Sequence, residues 1–162
     1  MRDYRNFESY VNKLSNSIYE QPPDEGHTKW ATEVINNWVT QMPTASTVLD
    51  LGCGQGFCKP LFEALGKQWT GVTLGPDYLV CKDKGYDVYN YDFSFLEEIA
   101  DDSYDLLFSR HSLEHSPFPL LTLMEWYRVS KQWLCLILPN PVFWTVTGRN
   151  HYSVMYPDQV HN

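Results

Sequence analysis

The chain has 162 residues, of which 43% are apolar, enough for one domain with a sizeable core. Its net charge of −8 would repel a phosphate backbone, so we expect no nucleic-acid partner. The four cysteines form no C-x-x-C pair, and no apolar run approaches the roughly 18 residues that span a bilayer. With no apolar signal core at the N-terminus, these features predict a cytoplasmic protein without a membrane span.

The first part of the chain, residues 1–43, predicts a helical cap within a single domain that spans residues 1–162. Residues 3–18 carry aromatic and apolar side chains at helical spacing, and the QPP at 21–23 ends that helix. Asp24 is then a candidate N-cap for a second helix, which Pro43 ends. The predicted apolar face of that second helix consists of Trp30, Val34, Ile35, Trp38, Val39 and Met42.

From residue 44 to residue 162, short apolar runs alternate with helix-like segments. The runs are TVLDL (47–51), WTGVTL (69–74), YDVYNY (86–91), YDLLFS (104–109) and WLCLIL (133–138). An alternating rhythm of strands and helices predicts an α/β fold, a doubly wound and mostly parallel sheet covered by helices.

A glycine-rich loop, DLGCGQG (50–56), follows the first predicted strand and precedes a helix. Ligands of open α/β sheets bind beyond the carboxyl ends of the strands, and glycines allow the backbone to approach a ligand closely. The spacing is G-x-G-x-G, neither the dinucleotide G-x-G-x-x-G nor the phosphate-binding G-x-x-x-x-G-K-[ST]. The loop therefore predicts a ligand site that is not for NAD or ATP; the alternative is a tight turn with no ligand.

The segment VLDLGCGQG resembles the first motif of class I S-adenosylmethionine-dependent methyltransferases. The later motifs follow in order as GVTLGP (71–76), YDF (91–93), SYDLLFSRHSLEH (103–115) and MEWYRVSKQWLCLILPNP (124–141). The resemblance implies a Rossmann-like fold, S-adenosyl-L-methionine as the cofactor and a small-molecule acceptor, as in the methyltransferase type 11-like branch. A non-catalytic cofactor-binding or interaction protein with a truncated methyltransferase fold is the alternative.

The resemblance also implies which residues bind the cofactor. Asp50 would orient the loop and reach the amino group, while Asp92 would accept from the adenine amine with Phe93 beside the ring. Most relatives carry an acid where this chain has Thr73, so we expect a weaker grip on the ribose, shared with the Leu74 backbone and Asp77. The predicted cofactor-binding set is Asp50, Gly52, Cys53, Gly54, Thr73, Leu74, Asp92, Phe93 and Ser109.

The pentapeptide HSLEH (111–115) matches a zinc signature that works only on a continuous helix. A strand pattern precedes it and Pro117 and Pro119 follow it, so we expect no metal. The resemblance instead places it on the loop after the fourth strand. His111 and His115 are the candidate catalytic bases, because imidazole titrates near neutral pH. A substrate-facing and a structural role are both open for His111, and a structural role is favoured for His115.

The related fold has seven strands, whereas only five are predicted here, so the last two strands are expected to be missing at the C-terminal edge. A shortened gene, a fragment and a partner that covers the edge are three open explanations. The fifth strand, WLCLIL, would then be an exposed apolar edge, and we expect a homodimer to form through it.

Overall fold

The structure is a computed structural model that describes residue 9, residues 25–144 and residues 150–160. Apart from residue 9, the predicted first helix lies outside the described residues, as does the predicted N-cap Asp24. None of the helices in the described ranges is long and apolar enough to cross a membrane.

The described chain alternates helices and strands as predicted. The helices are α1 (Glu25–Asn37), α2 (Lys59–Ala64), α3 (Gly75–Asp83), α4 (Pro119–Val129), α5 (Pro141–Trp144) and α6 (Pro157–Val160). The strands are β1 (Thr47–Leu51), β2 (Gln68–Thr73), β3 (Val88–Asn90), β4 (Tyr104–Arg110) and β5 (Ser130–Ile137). Two 3-10 turns lie at Val39–Gln41 and Leu113–His115.

The five strands form one sheet in the order β3-β2-β1-β4-β5, and every neighbouring pair is parallel. This confirms the predicted α/β fold with a doubly wound parallel sheet. The strand order reverses direction between β1 and β4, which is the point where ligands bind in sheets of this kind.

Helices cover both faces of the sheet because successive strand residues point to opposite sides. In β4, Leu106 and Phe108 enter a core with Ile35 of α1 and Phe62 of α2. Leu107 enters the other core, which includes the α4 residues Trp126 and Val129 together with Leu49, Leu51, Val72, Leu96 and Leu113. The apolar runs of β1, β2 and β4 are therefore buried on both faces, as expected for a parallel sheet.

The buried face of α1 differs from the predicted one. Ala31, Ile35 and Val39 are buried, whereas Trp30 is 48% and Trp38 61% exposed. The prediction that these two tryptophans lie on the buried face was wrong, because the small residue Ala31 occupies that face instead.

Strand β5 lies at the edge of the sheet in the part of the chain that the structure describes. It begins at Ser130, three residues before the predicted run, since its backbone also pairs with Tyr104 at the start of β4. Its apolar residues Trp133 and Leu134 are partly exposed, at 41% and 38%.

Candidate functional site

The glycine loop begins where β1 ends and is fastened to the neighbouring strand. The amides of Gly52 and Cys53 both donate to the carbonyl of Val72, at 2.9 and 3.0 Å. Gly52 has a φ of 71°, and a β-carbon built on it would lie 2.2 Å from Ser112 Oγ. Glycine is therefore required here by both the backbone and the packing.

Cys53, predicted to contact the cofactor, turns its side chain into the protein. It is 4% exposed, and its Sγ would lie 2.6 Å from a β-carbon built on Gly71 of β2. A ligand at the carboxyl edge of the sheet could meet this residue through its backbone. All four cysteines are free thiols.

Asp50 places a buried carboxylate beneath the loop. It is 2% exposed, and Oδ2 accepts a hydrogen bond from Trp69 Nε1 at 3.0 Å. Burial raises the pKa of Asp50 from 3.8 to about 6, against the opposing effects of the Trp69 hydrogen bond and the positive charge of Arg110. This carboxyl group is therefore costly to ionise unless a cation approaches it.

Arg110 was not among the predicted site residues, although a charge at the end of the apolar run YDLLFS was a visible signal. It ends β4 and is half-buried, with its guanidinium 6.0 Å from the centre of the Phe57 ring. Its electrostatic interaction with Asp50 places a cation and an anion at the same edge of the sheet.

Asp92 and Phe93 follow β3, and the ring of Phe93 lies beside the glycine loop. A β-carbon built on Gly52 would lie 3.7 Å from Phe93 Cδ1, so the two predicted residues are neighbours. Phe93 is held by Trp126, whose Nε1 donates to its carbonyl at 2.8 Å and whose ring meets it edge to face at 5.9 Å. The carboxylate of Asp92 accepts from the amide of Ser94 at 2.9 Å, which fixes the turn.

The predicted ribose-binding residues lie between β2 and α3. Thr73 ends β2 and is 8% exposed, and the extended residue Leu74 precedes the helix. Asp77, in the first turn of α3, accepts from Gln55 Nε2 at 3.1 Å. Gln55, which was not predicted, thus connects this acid to the glycine loop.

Ser109 completes the predicted set from β4. It is 1% exposed and lies in register between Leu51 of β1 and Leu136 of β5. Its hydroxyl has no hydrogen-bond partner among the described residues. Ser112, which was missed, hydrogen-bonds through Oγ to the carbonyl of Leu51 at 3.0 Å and thereby holds the loop after β4 against the glycine loop.

The segment HSLEH is a loop and a single 3-10 turn, not a continuous helix. His111 has a φ of 50°, so the chain changes direction there. Its ring lies 4.7 Å from that of His27 and stacks at 6.1 Å on Trp30, both from α1. Its Nδ1 is 3.5 Å from Glu114 Oε1. His111 therefore stands at the junction between the predicted cap and the loop after β4.

His115 points to a different neighbour. Its Nδ1 lies 3.1 Å from the carbonyl oxygen of Asn150, and its ring meets that of His151 edge to face at 4.9 Å. Burial lowers the pKa of His115, which favours the neutral imidazole. The two candidate histidines of HSLEH thus belong to separate clusters.

Glu125 and Arg128 lie three residues apart on α4, away from the glycine loop. Their ion pair has a structural role. Arg128 binds Glu125 through Nε and Nη2, at 2.9 and 2.7 Å, and also donates to the carbonyls of Leu96 and Ile99. Glu125 in turn accepts from the amide of Leu96 at 3.0 Å. The pair fastens α4 to the segment between β3 and β4.

A separate cavity of about 330 Å³ lies at the amino ends of the strands, opposite the end that carries the glycine loop. Its lining includes Thr47, Gln68 and Tyr104, which begin β1, β2 and β4. The predicted residues do not contribute to it, so it is distinct from the candidate site.

Comparison with known proteins gives a family match for the segment that contains these features. Residues 49–133 match the family described as "Methyltransferase domain", which is more than half of the chain. No curated protein sequence matches the chain.

Solved structures with the same fold are numerous but distant in sequence. A SAM-dependent methyltransferase from Archaeoglobus fulgidus is 19% identical with a TM-score of 0.72, covering 98% of this chain and 71% of its own. A Galdieria sulphuraria protein named as a sarcosine dimethylglycine methyltransferase is 20% identical, with a TM-score of 0.55 and coverages of 80% and 56%. The [4+2]-cyclase SpnF is 19% identical, with a TM-score of 0.56 and coverages of 79% and 54%. The chain therefore spans little more than half the length of two of these three relatives.

Proposed function

This chain belongs to the methyltransferase-domain family, and on that premise we propose that it uses S-adenosylmethionine to methylate a small-molecule acceptor. The observation that carries the proposal is one edge of the sheet. There the ring of Phe93 lies against the glycine loop, which begins at the buried Asp50, beside the point where the strand order reverses.

The chemistry of the cofactor fits the groups at this edge. S-adenosylmethionine carries an ammonium and a carboxylate at its methionine end, and Asp50 and Arg110 offer the opposite charges. The ammonium would offset the cost of ionising the buried Asp50, and the guanidinium suits a carboxylate. Asp50 and Arg110 thus form the proposed methionine-binding end of the site.

The other end of the cofactor has an adenine ring and two ribose hydroxyls. We assign Phe93 and Asp92 to the base, and Thr73, the Leu74 backbone and Asp77 to the ribose. Because the position of the usual acid holds Thr73, the ribose contact is expected to be weak. Titration calorimetry of Thr73→Asp tests this, and an unchanged affinity for S-adenosylmethionine would contradict it.

The remaining predicted residues shape the floor of the same site. Gly52, Gly54 and Cys53 would offer backbone to the cofactor, and Ser109 would lie below its methionine end. When bound, the cofactor supplies a methyl group on a sulfonium leaving group, so the protein's main tasks are to position the acceptor and exclude water.

His111 is the proposed catalytic base for this reaction, and His115, which lies in the other cluster, is the weaker candidate. The His111 ring is 15% exposed and lies between α1 and the loop after β4, with Glu114 3.5 Å from Nδ1. A carboxylate beside one ring nitrogen orients an imidazole.

The test of His111 is its replacement by alanine, with cofactor affinity and turnover measured on the same preparation. A base predicts unchanged cofactor affinity and a loss of turnover of about 100-fold or more. A purely structural residue would instead change cofactor affinity and turnover together, or change neither.

The acceptor is proposed to be small because α1 places aromatic rings close to the loop after β4. His27 and Trp30 contact His111 from this helix, which supports the proposal that the segment 1–43 caps a cofactor core of residues 44–162. The sarcosine dimethylglycine methyltransferase of similar fold acts on small amines by its name. Incubation with labelled cofactor and fractionated metabolites tests the proposal; label in protein or RNA alone would contradict it.

A non-catalytic cofactor-binding protein is the second candidate. The [4+2]-cyclase of similar fold is named for a reaction other than methyl transfer, so the fold alone does not require methyl transfer here. Co-purified S-adenosylhomocysteine without methyl transfer to any acceptor pool would favour this candidate.

A homodimer through the β5 edge is also part of the proposal, in a cytoplasmic setting. Trp133 and Leu134 of β5 are partly exposed, and the neighbouring α4 exposes Met124 and Tyr127 by 67% and 82%. Contiguous apolar surface of this kind favours association. A monomeric mass in light scattering at micromolar concentration would contradict the dimer.

A further inference from the structure

A cluster of ligand-bearing side chains lies on the loop after β4, next to the proposed catalytic base His111. Glu114, His115 and His151 each direct one ligand atom toward the others, and all three atoms lie within 4.8 Å of one another. Glu114 and His115 come from the 3-10 turn, whereas His151 comes from the segment between α5 and α6.

The carboxylate of Glu114 indicates that something is needed at this place. Glu114 is 1% exposed, and neither of its oxygens has a hydrogen-bond partner among the described residues. Nδ1 of the His111 ring is 3.5 Å from Glu114 Oε1, and the two atoms do not form a hydrogen bond. A buried carboxylate without hydrogen bonds is strongly unfavourable unless a proton or a cation neutralises it, and the two imidazoles beside Glu114 are suited to hold a cation there.

Hydrogen bonds of the backbone hold the two segments of the cluster together. The carbonyl of Glu114 accepts from the amides of Tyr152 and Ser153, at 2.8 and 3.1 Å. Ser153 Oγ also donates to the carbonyl of Ser116 at 2.8 Å. These backbone and hydroxyl hydrogen bonds hold the segment of His151 against the turn, in addition to the contacts made by the His115 ring.

The surroundings of His115 are those of a metal-binding imidazole. Its Nδ1 faces the carbonyl of Asn150, which can only accept a hydrogen bond, so Nδ1 carries the proton. In that tautomer the lone pair is on Nε2. Metal-binding histidines commonly donate their other ring nitrogen to a carbonyl or carboxylate in this way.

We propose that Glu114, His115 and His151 bind one divalent cation of the zinc type. Two imidazoles and one carboxylate are a set that Zn²⁺ accepts, and three protein ligands leave a fourth position for water. Bonds of about 2.0–2.1 Å place tetrahedral ligands about 3.3 Å apart, so side-chain rotations of the order of 1 Å close the cluster around the ion. The ion would tie residues 150–156 to the loop that carries His111.

This site differs from the one that the H-x-x-E-H pattern suggests. The helical pattern would pair His111 with His115, but these two residues belong to separate clusters. Here the second imidazole is His151, 36 residues beyond His115 in the sequence. The sequence analysis expected no metal in this protein, and the present proposal departs from that expectation.

The test is calorimetric titration of ZnCl₂ into the full-length protein after treatment with a chelator and dialysis. The wild-type protein should bind one equivalent. His151→Ala should weaken this binding by at least about 10-fold, and Zn²⁺ should raise the melting temperature of the wild type but not of the variant. Glu114→Gln, which keeps the shape of the side chain, should weaken binding similarly if His151→Ala disturbs the segment.

The matched control is His27→Ala, which removes a histidine that lies beside His111 but outside the cluster. It should leave the affinity for Zn²⁺ unchanged. The proposal is overturned if the wild type binds no zinc, if both cluster variants bind it as tightly as the wild type, or if His27→Ala weakens binding as much as they do. Affinity for S-adenosylmethionine is measured separately and does not enter this outcome.

Discussion

Replacing Asp50 by asparagine should make the cofactor-free protein more stable and should weaken its binding of S-adenosylmethionine. Asn has nearly the same shape and its oxygen can still accept the hydrogen bond from Trp69 Nε1, which is 3.0 Å from Asp50 Oδ2. The change therefore removes mainly the charge, at a side chain that is 2% exposed.

The size of the effect follows from the pKa of Asp50. Burial raises that pKa from 3.8 to about 6, and each unit is worth about 1.36 kcal/mol, so ionising Asp50 in the folded protein costs up to about 3 kcal/mol. A raised pKa means that the folded state keeps a proton that the unfolded state has lost between pH 3.8 and about 6. The contribution of Asp50 to stability therefore falls as the pH rises through this range.

Urea unfolding of wild type and Asp50→Asn at pH 5 and pH 8 measures the prediction. The variant should be more stable by up to about 3 kcal/mol at pH 8, and by about half as much at pH 5. It should also bind S-adenosylmethionine at least about 10-fold more weakly, because the ammonium has lost its carboxylate partner.

The matched control is Asp83→Asn, which changes the net charge equally at an exposed residue of α3 and should leave stability nearly unchanged. An Asp50→Asn protein that is less stable than the wild type at pH 8 would contradict the cost assigned to the buried charge. A variant that keeps full cofactor affinity would contradict the contact between Asp50 and the ammonium group.

Two further predictions concern the framework of the site. Gly52→Ala should destabilise the protein by at least about 3 kcal/mol in urea unfolding, because φ is positive and the new methyl group collides with Ser112. The control is Gly66→Ala, which should cost only about 1 kcal/mol because Gly66 has the same φ of 71° but open space around it. Equal losses would contradict the packing argument. Arg128→Lys should cost about 2 kcal/mol in the same assay, since lysine cannot replace the paired bonds to Glu125, whereas a change below about 0.5 kcal/mol would show that the pair is not structural.

The sheet was largely predictable because its signals are local. The run TVLDL (47–51) coincides with β1, and the glycine loop after it marks the carboxyl edge. β5 was predicted to begin at Trp133 rather than Ser130, since its first residues are polar and their pairing with β4 leaves no apolar pattern. Trp30 was misplaced because its size indicates burial, yet its ring lies against His111 at the edge of the site.

The site was predictable where a motif fixes a position and unpredictable where distant segments meet. The nearness of Phe93 to Gly52 follows from the order of the strands. Arg110 could have been predicted as a site residue, because a charged side chain directly after an apolar strand lies at the carboxyl edge of the sheet. The contact between His115 and His151 has no periodicity or spacing to indicate it, because it depends on the path of residues 150–156.

The most direct test of the account is calorimetric titration of S-adenosylmethionine into the wild-type protein and into Arg110→Met. The wild-type protein should have one binding site for S-adenosylmethionine. The affinity of the variant should be at least about 10-fold lower, because it has lost the cation that binds the carboxylate of the cofactor. A wild-type protein that binds no S-adenosylmethionine at millimolar concentration, or a variant that binds it as tightly as the wild type, would contradict the assignment of this edge of the sheet.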